Sequence, residues 1–184
     1  MTLFRDEIRS PIGAIVVVTD DTSLRALDFL DYSDRMHRLL RTHYGTVDLR
    51  EARERIGVRE RLDAYFDGDL HALDVPTDTN GTRFQKTVWA ALRTIAPGTA
   101  LSYGVLARKI GMPDAVRAVG LANGANPLGI VVPCHRVIGA DGSLTGYGGG
   151  LARKAWLLRH EGFVFTQGSH SRGDTDRQLA LFEQ

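Results

Sequence analysis

The sequence has one cysteine and no long apolar run, and these two shortages narrow what the protein can be. Cys134 is the single cysteine among 184 residues, so neither an internal disulfide nor a cysteine-rich metal site is available, as is typical of the reducing cytoplasm. Apolar runs such as Ala14–Val18 are far shorter than the ~20 residues that cross a membrane. The first ten residues show no apolar signal region. We therefore expect a cytoplasmic protein without a membrane partner.

Acidic residues are scarce in the second half of the chain. Residues 84–162 carry 9 Lys and Arg against 3 Asp and Glu, whereas residues 1–83 carry 12 against 16, although the whole chain has a net charge of only +1. A basic segment beside an acidic one indicates that the basic segment meets a polyanion. From charge alone, ordinary solvated surface charge stays open as the alternative.

The first half of the chain predicts a small α/β domain. Ser10–Thr19 and Leu24–Leu30 have the pattern of a β-hairpin. Asp34–His43 and Glu51–Phe66 are predicted to be helices. Val75–Gly81 has the composition of a linker, so we place the domain boundary there, with residues 1–78 as the N-terminal domain.

The second half predicts a mainly helical domain, residues 79–165, followed by a mobile polar tail, residues 166–184. A helix is expected over Thr82–Ile95 and another over Leu151–His160. Between them, Ser102 is a good N-cap for a short helix that ends at Gly111. Pro113 suits the first turn of the next helix. Two short helices joined by a glycine-containing turn predict a helix-turn-helix.

The segment Val131–Val137 holds the cysteine in an unusual setting. Its apolar lead, Ile130–Val132, predicts a buried strand that ends at Pro133. A lone cysteine is often just a small buried hydrophobe, but here His135 and Arg136 follow it, and such neighbours favour the nucleophilic thiolate. Successive strand residues face opposite ways. Either the chain turns at Pro133, or His135 acts on Cys134 through a bridging water.

The Pro-Cys-His-Arg-Val sequence resembles the acceptor-cysteine motif of the O6-alkylguanine-DNA alkyltransferases, the methylated-DNA–protein-cysteine methyltransferases. Further segments resemble that family in order and spacing: Ser102-Tyr103-Gly104, Arg117-Ala118-Val119-Gly120, Asn126-Pro127, Gly146-Tyr147-Gly148-Gly149-Gly150 and Leu157-Leu158-Arg159-His160-Glu161-Gly162. The resemblance is strong over Thr82–Phe163, weak before it, and absent from the tail. Some family members bind zinc through N-terminal cysteines that this chain lacks, so we expect no metal and no cofactor.

The resemblance implies a fold and a reaction. The fold is α/β: an N-terminal α/β domain with a small antiparallel sheet, similar to ribonuclease H, and a mainly helical C-terminal domain with a helix-turn-helix. The reaction is direct-reversal repair of double-stranded DNA, in which O6-alkylguanine, and O4-alkylthymine with it, is flipped into a pocket. The alkyl group passes irreversibly to Cys134, so each monomer acts once. Cooperative assembly on DNA is left open.

The resemblance also implies roles for single residues. His135 resembles the base that activates Cys134 through water, and Glu161 the carboxylate that orients it, although a plain helix-end charge is the alternative for Glu161. Tyr103 resembles the phenol that protonates the departing base, and Asn126 a hinge residue. The implied pocket residues are Pro133, Val137, Tyr147 and Gly148, where many relatives have serine at the last position. The implied DNA contacts are Tyr103, Gly104, Arg117, Ala118 and Arg136.

Arg117 resembles the residue that fills the gap left by a flipped base, with an ordinary phosphate contact as its alternative.

Two other interpretations of the whole chain compete with alkyl transfer. A lesion-binding module without transfer is disfavoured by Cys134 itself. A cysteine hydrolase is disfavoured because Cys134 and His135 are adjacent and no oxyanion arrangement is visible.

Overall fold

The computed structural model describes residues 1–165, so the predicted mobile tail, residues 166–184, lies outside the described residues. The chain forms two compact units. The first contains Met1–Thr82 and Pro127–Val131, and the second contains, among the described residues, Arg83–Asn126 and residues 132–165. The chain therefore passes between the units three times, and the division at residue 78 inferred from composition stays a prediction. No helix within residues 1–165 has the length and apolar character needed to cross a membrane.

The first unit is built on a four-stranded sheet in the order β3-β2-β1-β4. Its strands are β1 (Thr2–Ile8), β2 (Ile15–Thr19), β3 (Leu24–Phe29) and β4 (Asp48–Glu51). β2 and β3 are antiparallel, which confirms the predicted hairpin. β1 is antiparallel to β2 and parallel to β4. The sequence patterns missed β1 and β4 because both strands carry several charged residues, so the apolar alternation is weak.

Two helices complete the first unit, α1 (Ser33–Tyr44) and α2 (Val58–Phe66). Met36 and Leu40 of α1 pack in one buried cluster with residues of the sheet, as its predicted amphipathic pattern requires. The predicted helix Glu51–Phe66 is wrong in its first half. Glu51 ends β4, and Gly57 adopts a φ of 76° immediately before α2, a left-handed conformation that breaks a continuous helix.

Two segments from elsewhere in the first unit, around Pro76 and Pro127, form backbone hydrogen bonds with β3. The nitrogen of Leu24 donates to the carbonyl of Pro76 at 2.8 Å, and the nitrogen of Leu27 donates to the carbonyl of Pro127 at 2.8 Å. Arg25 forms ion pairs with Asp20 and Asp78. The predicted linker Val75–Gly81 is therefore held along the sheet, where it satisfies groups that an open strand edge would expose.

Up to residue 165, the second unit contains four α-helices and a short parallel sheet. The helices are α3 (Arg83–Arg93), α4 (Tyr103–Lys109), α5 (Val116–Gly124) and α6 (Leu151–His160), and the strands are β5 (Leu101–Ser102) and β6 (Val137–Ile138). The α4–α5 pair confirms the predicted helix-turn-helix, with Gly111 at a φ of 74° in the turn. Pro113 is not in the first turn of α5, which begins three residues later, so that prediction was wrong.

The apolar run before the cysteine is buried but is not a strand. Residues 129–132 form turns and a bend, and Ile130 has a φ of 68°, a left-handed conformation that a β-branched residue rarely adopts. Cys134–Arg136 then form a 3-10 helix. Because such a helix turns by about 120° per residue, the strand geometry that would have pointed Cys134 and His135 in opposite directions does not apply.

Ser102→Ala should destabilise the second unit. The Ser102 hydroxyl accepts a hydrogen bond from the nitrogen of Val105 at 3.2 Å, and losing an N-cap of this kind costs about 1 kcal/mol. Both tryptophans of the chain, Trp89 and Trp156, lie in this unit, so fluorescence during urea unfolding measures it. Thr87→Ala on α3 is the control, with a change within about 0.5 kcal/mol. An equal effect of the two substitutions would contradict the capping role.

Candidate active site

The cysteine is held in a tightly bonded turn. Cys134, His135 and Arg136 are 5%, 0% and 6% exposed. The nitrogen of Cys134 donates to the carbonyl of Val132 at 2.7 Å, and the Asn126 side chain donates to the same carbonyl at 2.8 Å. Asn126 therefore ties the end of the α5 segment to the residue two before the cysteine, the place where the sequence predicts a hinge.

Glu161 is the centre of the charged interactions in the site. It lies at the C-cap of α6 and is 4% exposed. Its Oε1 is 2.9 Å from His135 Nε2 and also accepts from Arg136 at 2.8 Å, while its Oε2 accepts from Arg136 Nε at 2.8 Å. Burial by itself raises the pKa of Glu161, but the hydrogen bonds from His135 and Arg136 outweigh it and hold that pKa well below its usual range. Glu161 is thus an anion at neutral pH.

The ionised Glu161 fixes the protonation of His135. An ionised carboxylate only accepts hydrogen bonds, so Nε2 of His135 carries the proton that it shares with Glu161. Burial lowers the pKa of His135 against the opposing effect of Glu161, so the ring is neutral and its Nδ1 is a proton acceptor. Within residues 1–165, this buried Nδ1 has no hydrogen-bond partner. The Tyr147 ring lies edge-on to His135, with centroids 6.3 Å apart.

Arg136 does not have the position predicted for it. Its side chain is buried, and its guanidinium donates to Glu161 and to the carbonyl of Ile95. The DNA contact implied for Arg136 does not fit this buried placement, so we correct that prediction. The arginine instead joins the end of α6 to the chain just after α3.

Lys154 is a site residue for which the sequence predicted no role. It is 0% exposed, and its Nζ donates to the carbonyls of Val137 and Thr145. Burial lowers its pKa to about 8, an effect that Cys134 as an anion opposes. A signal was present in the sequence, because Leu151, Leu157 and Leu158 flank Lys154 at helical spacings of three and four.

The other predicted site residues fall on two sets of elements. Pro133 and Val137 are buried on either side of the cysteine turn, and Tyr147 and Gly148 are half-buried in the loop before α6. Tyr103 and Gly104 begin α4, whereas Arg117 and Ala118 are exposed in the first turn of α5. The Tyr103 ring lies against α5 at Gly120, where an added Cβ would be 3.8 Å from the ring.

The arrangement as a whole suits nucleophilic chemistry. A buried thiol is followed in the chain by a neutral imidazole whose Nδ1 has no hydrogen-bond partner within residues 1–165. An ionised carboxylate orients that imidazole, which is the logic of a catalytic triad. Within residues 1–165, no group of three or more His, Cys, Asp and Glu side chains is arranged to hold a metal ion.

Comparisons with known proteins show that both parts of the chain are similar to domains of one family. Residues 3–79 match the model of the 6-O-methylguanine DNA methyltransferase ribonuclease-like domain, and residues 83–163 match that of the 6-O-methylguanine DNA methyltransferase DNA binding domain. The methylated-DNA–protein-cysteine methyltransferase of Shigella flexneri is 48% identical over 172 residues, 89% of this chain and 98% of that protein. The crystal structure of Mycobacterium tuberculosis OGT in complex with DNA is similar with a TM-score of 0.76 and 41% identity, over 99% of both chains.

Glu161→Gln should strongly destabilise the second unit at neutral pH. The substitution leaves the buried Arg136 without its anion, and breaking such a pair costs about 3–5 kcal/mol. Because the pKa of Glu161 is lowered by folding, its contribution is complete above its unfolded value of 4.5 and fades as the pH falls below that value. Tryptophan-monitored unfolding at pH 7 and at lower pH measures the difference between wild type and variant.

Asp114→Asn is the matched control, since Asp114 is an exposed acid of the same unit. We expect it to change stability by less than about 0.5 kcal/mol at either pH. A Glu161→Gln effect as small as this control, or one that does not shrink in acid, would show that Glu161 is not the buried anion described above.

Proposed function

Because this chain belongs to the 6-O-methylguanine DNA methyltransferase family, we propose that Cys134 is the residue that receives the alkyl group from DNA. The protein repairs DNA by alkyl transfer. Methylated-DNA–protein-cysteine methyltransferases, its relatives, are named for a protein cysteine as the acceptor. Cys134 is the one cysteine in the sequence, so it has no competitor for that role. This count is the observation that carries the proposal.

The proposed transfer is a single displacement. The sulfur of Cys134 attacks the alkyl carbon, the carbon–sulfur bond forms, and the carbon–O6 bond breaks with its electron pair left on guanine. Tyr103 supplies the proton that neutralises the departing base. His135 removes the thiol proton through a water bound at Nδ1, the nitrogen that has no partner within residues 1–165. Because burial lowers the pKa of His135, the ring releases this proton to solvent and returns to its neutral form, and Tyr103 recovers from solvent the proton that it gave to guanine.

Access to the alkyl carbon requires a flipped base, because that carbon cannot be reached inside the duplex stack. The helix-turn-helix of α4 and α5 is the DNA-binding element in this proposal. Arg117, exposed in the first turn of α5, enters the duplex and fills the gap that the base leaves. The backbone of Val137 and the Tyr147-Gly148 segment form the pocket wall that receives O6-alkylguanine or O4-alkylthymine.

The chemistry also fixes how often the protein acts. A thioether has no leaving path under physiological conditions, so each monomer repairs one lesion and is consumed. We place the reaction in the cytoplasm, where reducing conditions keep the thiol free. Intact mass after incubation with methylated duplex DNA tests the proposal: one alkyl mass on Cys134 is expected, while a binding module adds none and a hydrolase keeps turning over.

Cys134→Ser should abolish transfer and keep lesion binding. A hydroxyl is far less ionised than a thiol and is a poor nucleophile for an alkyl carbon, whereas the proposed DNA contacts lie on α4 and α5. Intact mass measures the adduct, and gel shift on methylated duplex measures binding. An adduct on the variant would remove Cys134 from its role, and the same duplex without a lesion is the control for binding.

Arg117→Ala should slow the reaction on duplex DNA and leave the reaction with a free alkylguanine base nearly unchanged. Filling the gap offsets part of an unstacking cost of a few kcal/mol, and a free base such as benzylguanine needs no flipping. The measurement is the second-order rate on both substrates at several salt concentrations.

Arg108→Ala is the control for Arg117→Ala, since Arg108 is an exposed arginine on α4. We expect it to weaken duplex binding only through the loss of charge, with a salt slope lower by about one. The same behaviour from Arg117→Ala would make Arg117 a phosphate contact. Equal slowing on the duplex and the free base would assign Arg117 to the pocket or the fold.

A further inference from the structure

Asn123 is a buried polar side chain of the second unit to which the transfer steps above give no part. It lies in the last turn of α5 and is 4% exposed. We propose that Asn123 is a positioning residue for alkyl transfer: its amide oxygen holds the water that carries the thiol proton of Cys134 to Nδ1 of His135. This role rests on the proposed acceptor function of Cys134 and adds the group that fixes the water in place.

The amide of Asn123 faces the turn that carries the cysteine. Its Nδ2 lies 3.5 Å from the carbonyl oxygen of Cys134. Because a carbonyl only accepts hydrogen bonds, the amide nitrogen must be on the side of this carbonyl, and the amide oxygen is left for another partner. That oxygen, Oδ1, is buried and has no hydrogen-bond partner among residues 1–165. A buried acceptor is costly unless a donor reaches it.

The backbone that carries Asn123 is fixed on both sides. The indole nitrogen of Trp89 on α3 donates to the carbonyl of Ala122 at 2.9 Å, which holds α5 one residue before Asn123. Three residues after it, the Asn126 side chain donates to the carbonyl of Val132 at 2.8 Å. Both hydrogen bonds are buried, so the amide of Asn123 has a defined place beside the cysteine turn.

His135 supplies a second buried acceptor next to the same cysteine. Its Nδ1 also has no hydrogen-bond partner within the described chain, and it is the nitrogen at which the proposed transfer places a water. A buried water typically makes about three hydrogen bonds. The thiol of Cys134 and Nδ1 of His135 account for two of them, and Oδ1 of Asn123 supplies the third. One water that accepts from the thiol and donates to both acceptors therefore satisfies all three groups.

The proton balance of this arrangement closes. The water takes the thiol proton of Cys134 and passes one of its own hydrogens to Nδ1 of His135, while its other hydrogen stays bonded to Asn123. The amide oxygen accepts a hydrogen bond but takes no proton, so Asn123 only orients the water. The ring of His135 then releases its proton to solvent, as in the transfer described above.

Replacing Asn123 by an apolar residue changes no charge in the site. The charged and titratable groups around Cys134 belong to its own turn, to the loop before α6 and to α6: His135, Arg136, Tyr147, Lys154 and Glu161. The cations of α3 and α5 are exposed: Arg83, Lys86, Arg93 and Arg117. A change in the pH dependence of the reaction therefore reports on the path of the proton.

Asn123→Leu should slow the reaction in a pH-dependent way. Leucine has as many side-chain heavy atoms as asparagine and the same branching, but it cannot bind the water. Below the ordinary thiol pKa of ~8.5, the reaction needs the base, and general base catalysis contributes about 10²- to 10⁴-fold. We expect a loss of about tenfold or more at pH 7. The loss should shrink as the pH rises through about 8.5, where hydroxide from solvent forms the thiolate.

The measurement is the second-order rate with free benzylguanine between pH 6.5 and 9.5, with intact mass to confirm one adduct. A free base is used so that DNA binding through α5 does not enter. A loss that narrows with rising pH supports the proposal. A loss of the same size at every pH means that Asn123 only shapes the turn, and an unchanged rate at pH 7 means that it takes no part. Either of these two results overturns the proposal.

Val119→Ala is the matched control on the same helix. Val119 is 0% exposed, so its truncation loosens the packing of α5 and leaves the amide of Asn123 in place. We expect its rate loss to be small and equal across the pH range. A loss as large as that of Asn123→Leu, with the same narrowing, would assign the effect to packing. If Asn123→Leu does not fold, Asn123→Val, which is smaller by one heavy atom, replaces it under the same criteria.

A double variant tests whether Asn123 and His135 act through one water. Residues that act as a unit have non-additive effects, so Asn123→Leu should slow His135→Phe no further at pH 7. A further loss of about tenfold would overturn the shared water. If His135→Phe does not fold, the pH series decides alone. Wild type that gains no adduct at any pH refutes the role of Cys134, whereas an adduct with a pH-independent loss in Asn123→Leu refutes only the part assigned to Asn123.

Discussion

The buried contact of Glu161 with His135 and Arg136 is the interaction on which the rest of the second unit depends. It joins the end of α6 to the 3-10 helix that holds Cys134, and Arg136 extends the connection to the carbonyl of Ile95 after α3. The same contact assigns the proton on His135, since an ionised carboxylate requires a donor at Nε2. The same buried contact therefore connects the elements of the second unit and fixes the proton position on His135. The third side chain of the contact, Arg136, anchors the carboxylate to the chain after α3.

The turn that carries the cysteine solves a geometric problem that the sequence poses. Adjacent residues on a strand cannot face one pocket, yet the chemistry needs Cys134 and His135 near each other. Ile130 adopts a left-handed conformation within the turns before the cysteine, and the 3-10 helix then separates successive side chains by about 120°. A strained φ at a β-branched residue costs of order 1–3 kcal/mol. The surrounding fold holds this strained conformation four residues before Cys134.

Sequence patterns predicted the secondary-structure elements that depend on interactions between residues close together in the chain. The β2–β3 hairpin, the Ser102 cap and the bounds of α6 depend on periodicity and on single capping residues, and the structure confirms them. The failures depend on partners distant in sequence. The family resemblance implied a DNA contact for Arg136, and nothing local in the sequence reveals Glu161, 25 residues away, as its partner. The prediction of a strand at Ile130–Val132 was wrong because an apolar run indicates burial but does not determine the backbone conformation.

The charge balance of the site fits a protein that acts once. An enzyme that turns over must return to its resting state, so its product complex cannot be much less stable than its free form. A protein whose cysteine ends as a thioether has no such requirement. Its buried charges need to suit the resting site alone, where Glu161 is held by Arg136 and Lys154 donates to the carbonyls of Val137 and Thr145.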